Sequence, residues 1–262
     1  MALYWTSRHT GRLTVRTRHM ENGAMNKRRN LSDPRKRRHP FNIKYFVPRS
    51  LPCFIYRELG EIAQIHKNVH ILELDVQNVD KFSHFSKEVE RIVGDNGLNV
   101  LFNNAGYSPK STRINFVKAD QLTLTFAVNV AAPILLTKVM LPLLKKASAS
   151  KSSSPLGSER AAIVNMSSVL GSITLNKDGG LYAYRCSKAA LNMATKSMSI
   201  DLKNDGILVT AIHPGWVKTD MGGSNAPLTV DESITGILKV LRGLSEEHNG
   251  RLVQWDGQYL AW

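Results

Sequence analysis

The 262-residue chain holds only two cysteines, Cys53 and Cys186. That is too few for a disulfide framework, and they lack the paired spacing of a zinc site, so no metal centre is expected and a reducing, cytoplasmic setting fits best. No run of about 18 uncharged apolar residues occurs, and the N-terminus lacks the apolar core of a secretory signal, so the expectation is a soluble protein outside the membrane. Acidic residues are also scarce, with 21 Asp and Glu against 35 Lys and Arg and a net charge of +14. The imbalance is local. Residues 1–50 carry 13 of the basic residues and two acids, Glu21 and Asp33, for a net +11, which leaves +3 for the remainder. The body is therefore nearly neutral, which argues against a nucleic-acid partner. The runs Lys27-Arg28-Arg29 and Arg35-Lys36-Arg37-Arg38 read as a solvated tail. Two segments follow: a basic, disordered or aberrant stretch over 1–50 and one globular domain over 51–262.

With 42% apolar and 21% charged residues, the chain has the composition of an ordinary globular domain with a proper core. From about residue 57, short runs rich in Val, Ile and Leu alternate with longer helical stretches. Strands are expected at Val69 to Val76, Leu98 to Phe102, Ala161 to Met166, Ile207 to Ile212 and Arg251 to Gln254. Helices are expected at Val79 to Val93, Asp120 to Lys146, Leu181 to Lys203 and Val230 to Leu244. Strands this apolar are covered on both faces, which predicts an α/β fold with a doubly wound, mostly parallel, Rossmann-like sheet. The serine-rich stretch Ser148 to Ser158 is expected to be a flexible loop.

Ligands of such sheets bind at the carboxyl ends of the strands. Here the strands close on Asp75-Val76, on Asn103-Asn104-Ala105-Gly106, on Ser167-Ser168 and on His213-Pro214-Gly215. Next to this rim, Tyr184 and Lys188 stand four residues apart on a helix and so share one face. An ammonium beside a phenol favours the phenolate, so Lys188 is expected to draw the pKa of Tyr184 down towards the working pH of a general acid. His213 reads as a packed or hydrogen-bonded histidine, and Cys186 as a small buried apolar group.

These motifs in this order, with Thr219 after Pro214-Gly215, resemble the short-chain dehydrogenase/reductase family, and more closely its carbonyl reductases of the sniffer and C-factor type. The stretch Gly179-Gly180-Leu181-Tyr182-Ala183-Tyr184 and the terminal Leu260-Ala261-Trp262 carry that closer resemblance. It implies reduction of an aldehyde, ketone or quinone by hydride transfer from NADP, with NAD possible. It implies Tyr184 as general acid, Ser168 (with Ser167 as the alternative) orienting the carbonyl, Lys188 on the nicotinamide ribose, and Asn129 holding a water for proton relay. Cofactor contacts carry over to Asp75, Val76, Asn103, Ala105, Gly106, Tyr184, Lys188, Pro214, Gly215, Val217 and Thr219. A homodimer through the two long helices is also implied.

One family mark is missing. Thr10-Gly11 runs on into Arg12-Leu13-Thr14-Val15, without the later glycines of Thr-Gly-x-x-x-Gly-x-Gly, whose backbone amides and helix N-terminus receive a pyrophosphate. In the strand order 3-2-1-4-5-6 the first strand is central. Leu13 to Thr17 and Phe41 to Val47 interleave polar residues and make poor replacements, so the first βα unit is expected to be missing or aberrant. The alternative function is a catalytically silent, reductase-like interaction protein.

Overall fold

The computed structural model describes residues 45–47, 60–66, 68–109 and 113–262. Most of the basic 1–50 segment, including Leu13 to Thr17, one of the two poor candidates for a first strand, lies outside the described residues, as does Cys53. Two sheets are present. Strands β1 (Tyr45–Val47) and β2 (Ile71–Glu73) pair in parallel, with Tyr45 opposite Ile71. The larger sheet runs β3 (Val100–Asn103), β4 (Ala162–Met166), β5 (Leu208–His213), β6 (Leu252–Gln254) and β7 (Tyr259–Leu260) in spatial order. Its first four strands are parallel and β7 is antiparallel.

Every residue of β4 and β5 is buried, as expected of strands covered on both faces. Alternate side chains enter two cores. On one face Leu101, Ile163 and Val209 meet Phe82, Phe85 and Val89 of α1 (Phe82–Val93) and Leu136, Met140 and Leu144 of α3 (Ala132–Ser150). On the other, Val164, Leu208 and Ile212 meet Ile237, Val240 and Leu241 of α5 (Val230–Arg242). Leu74, just past β2, joins the first core. The doubly wound arrangement is thus present, and the expected strand and helix positions hold to within a few residues.

The differences have local causes. β2 stops early because Asp75 starts a turn, its Oδ1 accepting from Gln77 N at 3.0 Å and its carbonyl from Asn78 N at 3.0 Å. Within Phe41 to Val47, the described strand β1 pairs with β2 and has no pairing to β3. Among the described residues no strand joins the two sheets. The serine-rich stretch is anchored at both ends, contrary to expectation. Ser148 Oγ donates to the Asp205 carbonyl at 2.7 Å, and Ser158 Oγ to the Leu241 carbonyl at 2.7 Å. The helical run Ala119–Ser150 contains a window apolar and long enough to cross a membrane, but half of that window is buried inside the fold. It serves here as a core helix.

Candidate active site

The sequence places a strand end, a helix and two loops around Tyr184, and each is held by local chemistry. Helix α4 (Tyr182–Asp201) is approached through Gly179, Gly180 and Leu181, all with positive φ (64°, 64° and 47°). Leu181 in this left-handed conformation is locally strained, as a non-glycine residue must be there. The turn is secured by Arg185, whose Nε donates to the Gly179 carbonyl at 3.1 Å. It aims the first turn of α4 so that Tyr184 and Lys188 face the sheet, 5% and 3% exposed.

Ser168 caps the one-turn helix Val169–Gly171 at the end of β4, its Oγ accepting from Leu170 N at 3.1 Å. The same hydroxyl faces the Tyr184 phenol, where hydrogen bonding from it favours the phenolate. Ser167 points elsewhere, its Oγ donating to Asn192 Oδ1. Of the two candidate serines, Ser168 is the one beside the tyrosine. Lys188 Nζ lies 5.6 Å from the Tyr184 ring centroid and donates to the Met166 carbonyl at 2.7 Å.

Burial sets the protonation of this cluster. It pushes the Tyr184 phenol up to about 12, with the Ser168 hydrogen bond working the other way, and pushes Lys188 down to about 7. Lys188 was expected to lower the tyrosine's pKa; with protein groups alone it does not. A lysine that itself sheds its charge in a desolvated site offers little field to stabilise a phenolate.

Asn129 sits in a π-turn, Ala127–Ala131, between α2 (Ala119–Phe126) and α3. Such turns widen the helix locally and occur often at functional sites. Its amide is fully engaged: Oδ1 accepts from Tyr107 N at 2.8 Å, while Nδ2 donates to the Tyr107 carbonyl at 2.8 Å and to Ser187 Oγ at 3.0 Å. The side chain clamps the loop after β3, a task the sequence did not reveal. That clamp brings Gly106 close, since a Cβ built on it would lie 3.7 Å from both Asn129 Oδ1 and Lys188 Nζ.

The remaining candidates divide. Ala105 is half-buried beside Gly106. Asn103 is turned into the sheet, its Nδ2 donating to Asn165 Oδ1 at 2.8 Å, so its side chain belongs to a buried polar row. Asp75 and Val76 lie past the end of β2. Pro214 accepts from Ser233 Oγ at 2.6 Å, Gly215 has φ 83°, and Thr219 Oγ1 donates to the Val217 carbonyl at 3.3 Å. These four begin a loop on the rim next to Ser168. His213 is packed as expected, but its Nδ1 has no hydrogen-bond partner among the described residues, and burial lowers its pKa to about 4. Cys186 is exposed, not buried, because two residues past Tyr184 the helix turns its surface to solvent. Among the described residues no cluster of metal-binding side chains occurs.

Two residues went unnoticed in the sequence. A Cβ on Gly171 would sit 2.7 Å from the Lys188 carbonyl carbon, so this glycine lets the segment carrying Ser168 lie against α4. Asn192 bonds both ends of that segment. The available signal was a polar residue four beyond Lys188 on a helix face otherwise sealed against the sheet.

The sheet and its two helical layers define a Rossmann-like α/β fold, and comparison with known proteins gives the family. The chain belongs to the short chain dehydrogenase family, which it matches over residues 55–227. The C-signal protein of Myxococcus xanthus is 40% identical over 165 residues, 63% of this chain and 93% of that protein. Among solved structures, the carbonyl reductase Sniffer of D. melanogaster is 50% identical with a TM-score of 0.80, covering 83% of this chain and 87% of that one. The NADPH-bound carbonyl reductase from chicken fatty liver is 39% identical with a TM-score of 0.77, covering 84% and 87%.

Proposed function

We propose that the chain is a cytoplasmic, NADP(H)-dependent carbonyl reductase that converts an aldehyde, ketone or quinone to its alcohol. The observation that carries this reading is the burial of Tyr184, Ser168 and Lys188 together at the carboxyl end of β4, with Lys188 Nζ 5.6 Å from the Tyr184 ring centroid. The nicotinamide end of the cofactor fits these residues. Lys188 spends one hydrogen bond on the Met166 carbonyl, while an ammonium has three donors, so ribose hydroxyls can be met there. Gly106 keeps the opposite wall low. The dinucleotide, when bound, supplies a hydride.

This chain's residues supply the rest. Ser168 Oγ donates to the substrate carbonyl oxygen and holds it beside Tyr184. Tyr184 Oη delivers a proton to that oxygen as negative charge develops on it. With a pKa near 12 the phenol is protonated throughout the neutral range, the state an acid needs. Lys188, near 7, can gain or lose a proton there and so can return one to the tyrosine. The bonded amide of Asn129 keeps the β3 loop against Lys188, and a water for proton relay remains part of the proposal. Exposed Ile134 on α3 and Met193 and Ile200 on α4 supply apolar surface for a homodimer.

The test is NADPH consumption by purified protein against a panel of aldehydes, ketones and quinones. Turnover that disappears in Tyr184→Phe supports the reading, and an inert wild-type chain refutes it. The sequence after Thr10-Gly11 favours a second reading, a silent reductase-like interaction protein, because the phosphate-cradling glycines are absent.

A further inference from the structure

The sheet-facing stripe of α4 continues past Lys188 to Asn192 and Thr195, 4% exposed and fully buried. Thr195 Oγ1 accepts from Asn165 Nδ2 of β4 at 2.9 Å. Asn192 bonds the strand's continuation twice: Oδ1 accepts from Ser167 Oγ at 2.5 Å, and Nδ2 donates to the Gly171 carbonyl at 3.3 Å. Ser168 lies between those two anchors. The geometry points to Asn192 as a positioning residue that clasps the segment from Ser167 to Gly171 onto α4 and thereby fixes the Ser168 hydroxyl against Tyr184. The inference rests on the roles proposed above for Ser168 and Tyr184.

Three features support it. The bond from Leu170 N to Ser168 Oγ, and those from Gly171 N to the Ser168 carbonyl and Ser172 N to the Val169 carbonyl, are internal to the segment. They shape the turn but cannot attach it to the helix that carries the tyrosine. The attachments come from α4, through Lys188 to Met166 ahead of the pair and through Asn192 on either side of Ser168. The packing leaves no slack, since a Cβ on Gly171 would meet Lys188 backbone at 2.7 to 2.9 Å. Finally, a buried amide is costly unless its groups are bonded, and here both ends of the amide are. Ser167 and Ser168 thus divide their work: one is tied to the scaffold, the other is presented to the site.

The experiment compares wild type with Asn192→Leu, which keeps the branched heavy-atom skeleton and removes both bonds. Hydrogen exchange at Leu170, Gly171 and Ser172 should quicken by about 10-fold or more, with β4 and β5 amides unchanged. In turnover, kcat should fall about 10- to 100-fold at constant KM for NADPH. That loss should vanish in a Ser168→Ala background, because the group being positioned is already gone. Ser167→Ala cuts one tether and should give a smaller loss, serving also if Asn192→Leu does not fold, while Ser167→Thr keeps the hydroxyl and restores the wild-type values. Unchanged exchange, or losses that add fully with Ser168→Ala, overturns the inference. If the wild-type protein turns over no carbonyl, the proposed function fails, and the exchange measurement alone decides the role of Asn192.

Discussion

Single residues at this site act by what they leave out as much as by what they donate. Gly106 has room for a methyl group in the protein itself, since its Cβ would meet only ordinary contacts at 3.7 Å. Gly106→Ala is therefore expected to leave the melting temperature within about 1 °C while weakening NADPH binding about 10-fold, measured by fluorescence titration. A large loss of stability would mean that the glycine serves the fold. His213 makes the reverse point, for its task is to stay neutral. Burial lowers its pKa to about 4 from an unfolded value of 6.5, with Asp256 opposing. Between those values the unfolded chain binds more protons, so this stability is present above pH 6.5 and is lost as pH falls through 4. Its share of the loss between pH 7 and pH 5 is about 2 kcal/mol. Urea unfolding of His213→Asn should show a pH dependence flatter by that amount, and an unchanged slope would remove His213 from the account.

At the level of elements, the π-turn at Ala127–Ala131 shows how a helix can carry a site residue without exposing it. The family resemblance implied that Asn129 holds a water for proton relay to the lysine. In the structure its amide makes three bonds, two of them to the Tyr107 backbone. Asn129→Ala would take both of its bonds from the part-buried Tyr107 peptide group, at a cost of about 1–2 kcal/mol for the loop after β3. A drop in unfolding free energy of that size, even with no cofactor added, is the expected result. A variant as stable as wild type would restrict Asn129 to proton relay. The anchored ends of the serine-rich stretch make a similar point: composition alone suggested a free loop, but Ser148 and Ser158 find carbonyls 58 and 83 residues away.

For the whole molecule, the question is whether one end of a two-part cofactor site suffices. The proposed carbonyl end is assembled from β3, β4, β5 and α4, while the proposed phosphate end would need the glycine motif that the sequence lacks. A ligand that binds only the folded state stabilises it by about 2.7 kcal/mol at a hundred times its Kd. Full-length protein with saturating NADPH should therefore melt several degrees higher than without it. No shift at millimolar NADPH would favour the silent interaction protein. The same comparison on residues 51–262 alone tests the proposed division of the chain: an equal shift there would show that the basic segment takes no part in binding.

Much of this was legible in the sequence because it rests on short-range periodicity. Apolar strands that can only be two-sided, a Tyr and a Lys on one helix face, and polar or glycine-bearing strand ends are all local patterns, and the family marks are strings of such patterns. What only the tertiary structure decided was pairing across the chain. It put Ser168 rather than Ser167 beside Tyr184, turned Asn103 into the sheet and set Asn129 on the Tyr107 backbone. It placed β1 beside β2 without joining β3, and raised the pKa of Tyr184 where its lysine neighbour suggested a fall. Hydrogen-bond partners and desolvation depend on groups distant in sequence and close in space, so no window along the chain contains them.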